Sequence, residues 1–413
     1  MKISPTFCFI LQTVENGLWR LPIIDNIMSN SENRFINYDM ENRKILWIVS
    51  ELFPPDETST AYILGEIANV MVARYQVKVI CGPEIYDKRK KLDENNMFRL
   101  NSAIEVLRAN GADLDKNTTK GKALSFVLMS KRLFALAKAN IKKGDKVLMV
   151  TNPAPLVLMM AWLKRKRGFE WHILVHDVFP ENTKPAGLKL PMYGFFKRLF
   201  DKAYSCADQL IALGRDMKSV LVGKIEKEKV HRPKITIIEN WADLDGIKSQ
   251  PMPTGKIILE YAGNIGRVQG LDKVINNLPE NVELHLYGTG SMEETLRKMN
   301  HPRVFFHGPY FRSQQNEVLA ACHMAIVTLQ EGMYGLGVPS KTYNILASGR
   351  SVLYFGPKDS EIDLLVRENG IGFCGWPEKW DMEELEMMGK KARALAEREY
   401  SKRTILNKFI AAI

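Results

Sequence analysis

The stretch GVPSKTYNILASG, residues 337–349, sets a flexible turn, a proline, Ser340 and Lys341 at the start of an apolar helical pattern that stops at Gly349. Pro339 suits the first helical position, where a missing N–H costs nothing. Free backbone donors and the positive end of the helix dipole then face an anion, and Lys341 adds a full charge at the same spot. Phosphate is the anion this arrangement suits. The alternative is a helix that merely happens to begin with proline and lysine.

Three more loops carry residues able to do chemistry. YAGNIGRVQG (261–270) follows a strand pattern; Gly263, Gly266 and Gly270 let backbone approach a ligand closely, and Arg267 can fork onto phosphate oxygens. It is not the G-x-G-x-x-G dinucleotide fingerprint, and no acidic residue about 20 positions on follows the expected strand, which disfavours a nicotinamide cofactor. LVHDVFPEN (174–182) sets His176 and Asp177 at a strand end. Histidine handles protons near neutral pH, whereas the plainer reading makes Asp177 a helix cap and His176 structural. LYGTGSMEE (286–294) places Gly288 after another strand, where it can sit beside a base or ribose or simply turn the chain. Asp-Leu-Asp occurs at 113–115 and 243–245 without the surroundings of a metal site. FFKRLF (195–200) interleaves aromatic and basic residues, as in a helix with one buried and one solvated face, or one touching a membrane.

The elements that position these loops alternate. KILWIVS (44–50), VKVICG, IEVLRA, DKVLMVTN, WHILVHD, QLIALG and KITIIEN read as strands, with apolar helical patterns between most of them. After SQPMPTG (249–255), a linker, the series restarts with KIILEYAG, VELHLYGTG, RVFFHG, HMAIVTL, SVLYFG and a short FCGW. Ser291 and Glu294 have the spacing of a capping box. One long charged helix closes the chain. The expectation is α/β: two tandem Rossmann-like domains split near residue 245, with ligands at the carboxyl ends of the strands. The boundaries are an extension over 1–41, a first domain over 42–245, a second over 246–398, and a C-terminal helix over 399–413. The extension has no regular period, and Met28 and Met40 are alternative starts.

With 46% hydrophobic and 25% charged residues in 413, the chain reads as an ordinary globular protein of two or three domains. The five cysteines show no paired or metal-ligand spacing, which suggests buried thiols in a reducing compartment. No run reaches the length of a membrane span, and the N-terminus lacks the marks of a secretory signal. The net charge of +11 is lopsided: residues 1–240 carry +12 and residues 241–413 carry −1. A basic first half suggests an anionic partner or surface, nucleic acid or a membrane face; solubility alone is the other reading.

Taken in order, FPP, HDVFPE, NWAD (240–243), YAGNIGRVQGLD, LYGTG, GVPSKTYNILASGRSV and SEI (360–362) resemble the family 4 glycosyltransferases, retaining enzymes of the GT-B fold. Within that family the chain is most similar to the transferases that build bacterial capsular, colanic acid and O-antigen repeat units. The resemblance covers about residues 44 to 400. It implies a nucleotide-sugar donor, UDP first and GDP second, held by the second domain. It implies an acceptor held by the first domain, here a saccharide on polyprenyl diphosphate. No metal, cofactor or nucleic acid is implied, and the setting is cytoplasmic with peripheral contact to the inner membrane face. Carried over, His176, Arg267 and Lys341 are the catalytic set. Gly263, Asn264, Gly266, Gln269, Gly288, Ser340, Asn344, Ser360, Glu361 and Ile362 fall to the donor, and Thr58, Ser59 and Asp177 to the acceptor. The last helix crosses back to the first domain.

The chain departs from the family pattern at several points. Asp56-Glu57-Thr58-Ser59-Thr60 replaces the usual early Gly-Gly. Asn264 and Gln269 stand where basic residues are common. Asn344 aligns with the second glutamate of the E-x7-E pattern, and Glu331 lies near the first but displaced. Two other readings remain: a nucleotide-sugar 2-epimerase of the same architecture, and a degenerate transferase serving as a binding subunit.

Overall fold

The computed structural model describes residues 43–84, 98–110, 119–226 and 232–413. The N-terminal extension with Met28 and Met40, and the first Asp-Leu-Asp, lie outside the described residues.

The first sheet is formed by β1 (Ile45–Ser50), β2 (Gln76–Cys81), β3 (Glu105–Arg108), β4 (Lys146–Val150), β5 (Glu170–Leu174), β6 (Gln209–Ala212) and β7 (Lys234–Ile237), in the order β3-β2-β1-β4-β5-β6-β7. All its pairings are parallel. The central strands are near-continuous apolar runs because helices cover both faces. These helices are α1 (Ser59–Met71), α2 (Thr119–Asn140), α3 (Ala154–Arg167), α4 (Tyr193–Tyr204) and α5 (Arg215–Ile225). Trp171 is wholly buried, and Trp47 donates from Nε1 to Asp145 at 2.9 Å, so the large aromatics both fill and orient the core.

The second sheet comprises β8 (Ile257–Ala262), β9 (Val282–Tyr287), β10 (Val304–Gly308), β11 (Met324–Thr328), β12 (Ser351–Phe355) and β13 (Gly372–Cys374), again parallel, in the order β10-β9-β8-β11-β12-β13. Its helices are α6 (Leu271–Asn276), α7 (Glu293–Lys298), α8 (Gln315–Ala320), α9 (Lys341–Ala347), α10 (Glu361–Asn369) and α11 (Met382–Glu399). The strand order reverses direction between β1 and β4 and again between β8 and β11. Such switch points leave crevices at the carboxyl ends of the strands. The buried Arg350 fastens the linker: its guanidinium donates to the carbonyls of Gln250, Pro251, Leu319 and Ala320 at 2.8–3.2 Å. A buried guanidinium needs such a full set of acceptors.

Four local expectations need correction. The closing helix is two helices, α11 and α12 (Lys402–Ala412), because Tyr400 leaves helical geometry and Ser401 caps the second by accepting from Thr404 N. Ser291 and Glu294 form no capping box; α7 starts at Glu293, and Glu294 pairs instead with Lys298 at 2.8 Å. Pro339 precedes α9 by two residues rather than opening it. The thiols are not uniformly buried: Cys81 and Cys322 are, but Cys206 is half-buried and Cys374, ending an edge strand, is exposed. Among the described residues no helix is long and apolar enough to cross a membrane.

Helix α12 packs on α1 of the first domain. Tyr75 Oη donates to the Ile413 carbonyl at 2.8 Å and Arg74 to that of Ile410 at 2.7 Å. Helix α12 thus ties the last part of the chain back onto the first domain.

Candidate active site

The carboxyl ends of the two sheets face each other across a cavity of about 410 Å³, lined by residues of both domains. From the first domain comes the loop after β5. Thr151 Oγ1 accepts the backbone N–H groups of His176 and Asp177, at 3.2 and 3.1 Å, and so fixes the loop's path. His176 Nδ1 lies 3.2 Å from Thr60 Oγ1 in the first turn of α1, while Nε2 is buried without a partner. Burial pushes the imidazole down to about 4, so the ring is neutral at physiological pH. Burial also raises Asp177, to about 6, against the lowering effect of Asn182.

From the second domain comes Lys341, the first residue of α9. Its ammonium is fully buried, hydrogen-bonded to nothing among the described residues, and 3.2 Å from the centre of the Tyr261 ring. Burial lowers it to about 7, opposed by the nearby Glu260, which burial raises to about 8. An amine in this state is poised for an anion. Room beside it depends on glycine, for a Cβ at Gly263 would stand 3.4 Å from Nζ. The two domains touch here: Val178 N donates to the Leu336 carbonyl at 3.0 Å, and Asp177 and Gly337 form an antiparallel bridge.

The sequence-selected residues divide. His176, Asp177, Ser59, Gly263, Asn264, Gln269, Ser340, Lys341 and Asn344 line the cavity. Gln269 braces its own loop, accepting from Gly266 N at 3.1 Å. Asn344, expected at a ribose, spends its amide inside the protein. Its Oδ1 accepts from Asp243 N at 3.0 Å and its Nδ2 donates to Gln315 at 3.1 Å, tying NWAD to α8.

Gly266 and Gly288 shape the loop rather than line the cavity. Thr58 caps α1, accepting from Ala61 N at 3.3 Å, because an extended residue before a helix presents its hydroxyl to that orphan donor. Arg267 points away from the cavity and toward Gly187 of the first domain. The SEI segment is also elsewhere. Glu361 pairs with Arg215 of α5, Ser360 bonds Tyr354 Oη at 2.7 Å, and Ile362 is core. Glu361 accepts from both the Arg215 backbone and guanidinium, so this stretch joins the domains instead of facing a ligand.

Several cavity residues escaped the sequence reading, and Arg312 is the charged one among them. Arg312, after β10, lies 3.5 Å over the Tyr62 ring and pairs with Asp243 at 2.8 Å, reaching the cleft from a short 3-10 turn. Its only signal was its position after a strand. Glu331 borders an adjoining cavity that shares Gln269, Thr328 and Leu329 with the cleft. Among the described residues no cluster of three or more His, Cys, Asp or Glu could hold a metal ion.

No family model matches the chain. In sequence it is 29% identical over 401 residues to the probable glycosyltransferase WbjE of Pseudomonas aeruginosa, covering 89% of this chain and 97% of that one. In structure it matches sucrose-phosphate synthase from Thermosynechococcus elongatus with a TM-score of 0.66 at 12% identity, over 90% of this chain and 98% of that one. The chain is a GT-B glycosyltransferase. A shorter match, 30% over 189 residues, joins this transferase to the putative colanic acid biosynthesis glycosyl transferase WcaI of Escherichia coli K12, over 41% of this chain and 46% of that one. The Anabaena protein HepE, solved in complex with UDP, superposes on the transferase with a TM-score of 0.62 at 14% identity, over 89% of this chain and 99% of that one.

Proposed function

We propose that the transferase moves a sugar from a nucleoside diphosphate, UDP before GDP, to a saccharide carried on a polyprenyl diphosphate during cell-surface polysaccharide assembly, with retention at the anomeric carbon. The buried, unpartnered Lys341 ammonium in a cleft shared with His176 carries this reading. Breaking a sugar–phosphate bond builds charge on the departing diphosphate, and a fixed cation in a dry site stabilises that charge more than water would. Lys341 receives that charge, with the glycine loop at Gly263 giving the phosphates close access. His176, neutral and held by Thr60, contacts the donor sugar without adding a competing charge. The departing phosphate oxygen takes the proton of the attacking hydroxyl, which the first domain presents from Ser59 and Asp177. The names of WbjE and WcaI support the polysaccharide setting, and the UDP held by HepE supports the base. Closure of the two domains excludes water that would otherwise hydrolyse the donor.

The test is a thermal-shift screen against UDP, GDP, ADP and their sugars, followed by donor turnover with and without lipid-linked saccharide. A nucleotide that binds the folded state raises Tm by mass action. Turnover without any acceptor sugar would favour epimerisation instead.

A further inference from the structure

We propose that the face built by α2, α3 and α4 seats the transferase on an anionic lipid bilayer. The proposal rests on the reading of a lipid-borne acceptor and gives that reading a surface. Helices α2, α3 and α4 pack side by side on the first domain, α2 against α3 and α3 against α4. Residues 124–140, 154–167 and 184–204 hold twelve lysines and arginines against one acid, Asp201. That acid is buried and paired with Lys197 and Lys224; Lys197 also meets Glu181 and Lys164 pairs with Asp208, so the positive charge of this face is carried by the others. Lys131, Arg165, Lys166, Lys189, Arg198 and Lys202 are exposed.

Apolar residues share this surface. Of the twelve large apolar side chains exposed among the described residues, six are here: Leu124, Val127, Trp162, Leu188, Met192 and Phe195. Met192 is 70% exposed at the tip leading into α4. Leu124, Val127 and Lys131 recur at helical spacing on α2, and Met192, Phe195, Arg198 and Lys202 on and just before α4, so each helix shows a mixed apolar and basic stripe. Trp162 meets Phe134 edge-on at 6.1 Å and Lys138 at 6.0 Å, an amphipathic ring under a cation.

The chemistry selects lipid. An anionic headgroup layer answers the lysines and arginines, and the acyl boundary beneath it takes leucine, methionine, valine and aromatic side chains. Nucleic acid answers the charge but offers little to exposed aliphatic side chains. The location agrees: the loop that carries His176 runs on through Lys184 and Gly187 to Leu188 and Met192, and Gly187 faces Arg267 of the second domain. A bilayer against this face would lie beside the mouth of the cleft, where a lipid-borne saccharide must enter.

The experiment is flotation of the full chain with vesicles of phosphatidylcholine alone or mixed with phosphatidylglycerol, at low and high salt. The parent should float with the mixed vesicles only, and less at high salt. An apolar variant (Leu188→Ser, Met192→Ser, Phe195→Ser) and a charge variant (Lys131→Gln, Lys166→Gln, Arg198→Gln) should each bind more than about tenfold weaker. Both keep exposed positions polar, and an unchanged thermal shift with UDP, measured without vesicles, reports an intact fold and nucleotide site. Loss of that shift in the parent would sink the transferase chemistry instead of the surface. Absence of flotation with mixed vesicles overturns the proposal, as does binding unchanged in both variants. Tight binding to single-stranded RNA that survives the apolar variant, without flotation, assigns the face to nucleic acid.

Discussion

Asp177 and Gly337 form an antiparallel bridge between a loop of the first domain and the loop that leads into Lys341. Val178 adds a backbone bond to Leu336 at 3.0 Å. Two segments 160 positions apart in the chain thereby become one wall, and the histidine before the bridge and the lysine after it face the same cavity. A Cβ at Gly337 would lie in ordinary contact with this wall, 3.5 Å from Asp177 Oδ1 and 3.7 Å from the His176 carbonyl oxygen.

Replacing Lys341 separates binding from stability. Its ammonium is buried with no hydrogen-bond partner among the described residues, so Lys341→Ala removes a group whose desolvation outweighs what the Tyr261 ring and Glu260 return. The variant should melt at or above the parent's temperature. The same change removes a charge-assisted contact to diphosphate of about 2 kcal/mol, roughly thirtyfold in affinity. Differential scanning fluorimetry with and without UDP reads both quantities. A large drop in Tm with the UDP shift intact would contradict the assignment.

Nucleotide affinity should fall as pH rises past neutrality. Lys341 is held near 7 in the free cleft, and a neighbouring diphosphate raises it by favouring the charged form. Below about 7 the cation is already present and affinity is at its plateau. Above that, binding must take up a proton, and affinity drops about tenfold per pH unit until the bound-state value is passed. Calorimetric titrations of UDP in two buffers of different ionisation enthalpy, near pH 8, should show uptake approaching one proton. Equal apparent enthalpies in both buffers would refute the protonation change.

The fold and part of the cleft's lining are legible in the sequence for a physical reason. Strands buried on both faces must be apolar along their length, as ILWIVS and KVLMV are, and the loops after them must then hold the ligands. His176, Gly263 and Lys341 sit at such loops and line the cavity. Arg267 is selected for a guanidinium that can fork onto phosphate, and Glu361 and Asn344 by the family resemblance, but neither ground says where a side chain points. Glu361 turned to Arg215, Asn344 to the Asp243 backbone, and Arg267 toward Gly187. Arg312 was hidden for the converse reason: its contacts with Tyr62 and Asp243 join three segments that only folding brings together.

His176 and Asp177 should pull the acid stability of the protein in opposite directions. Its folded-state value, about 4, lies below the ordinary 6.5, so the unfolded chain binds the proton more readily. The stability this adds is whole above 6.5 and is lost as pH falls toward 4, at most about 3 kcal/mol. Asp177 acts oppositely. Burial raises its carboxyl to about 6, so it favours the fold in acid and opposes it as pH rises through that value. The two nearly cancel, so urea midpoints across this range should stay almost level for the parent and rise toward acid for His176→Asn, which leaves Asp177 in place. Parallel curves for the two proteins would show that another group governs the acid limb.

Gly288 tests the second domain's ligand loops without touching a ligand. It follows β9 with φ of 121°, a conformation that side chains rarely adopt. A methyl group there would overlap the carbonyl oxygen of Gly263, which itself has φ of 145° and gives Lys341 its room. The two glycines are stacked: Gly263 N donates to the Tyr287 carbonyl at 2.9 Å, and Gly288 N to that of Gly308 at 2.6 Å. Gly288→Ala must therefore push the Gly263 loop toward the cleft or open the β8–β9 edge. A cost above about 2 kcal/mol is expected from strain and overlap together. Gly370→Ala is the control, for it shares a positive φ of 57° but meets only the flexible Lys391 amine at 3.6 Å. Denaturant midpoints should fall much further for Gly288→Ala, and the UDP-induced Tm shift should shrink in that variant alone. Equal midpoints would mean that left-handed backbone strain, and not the clash with Gly263, sets the cost.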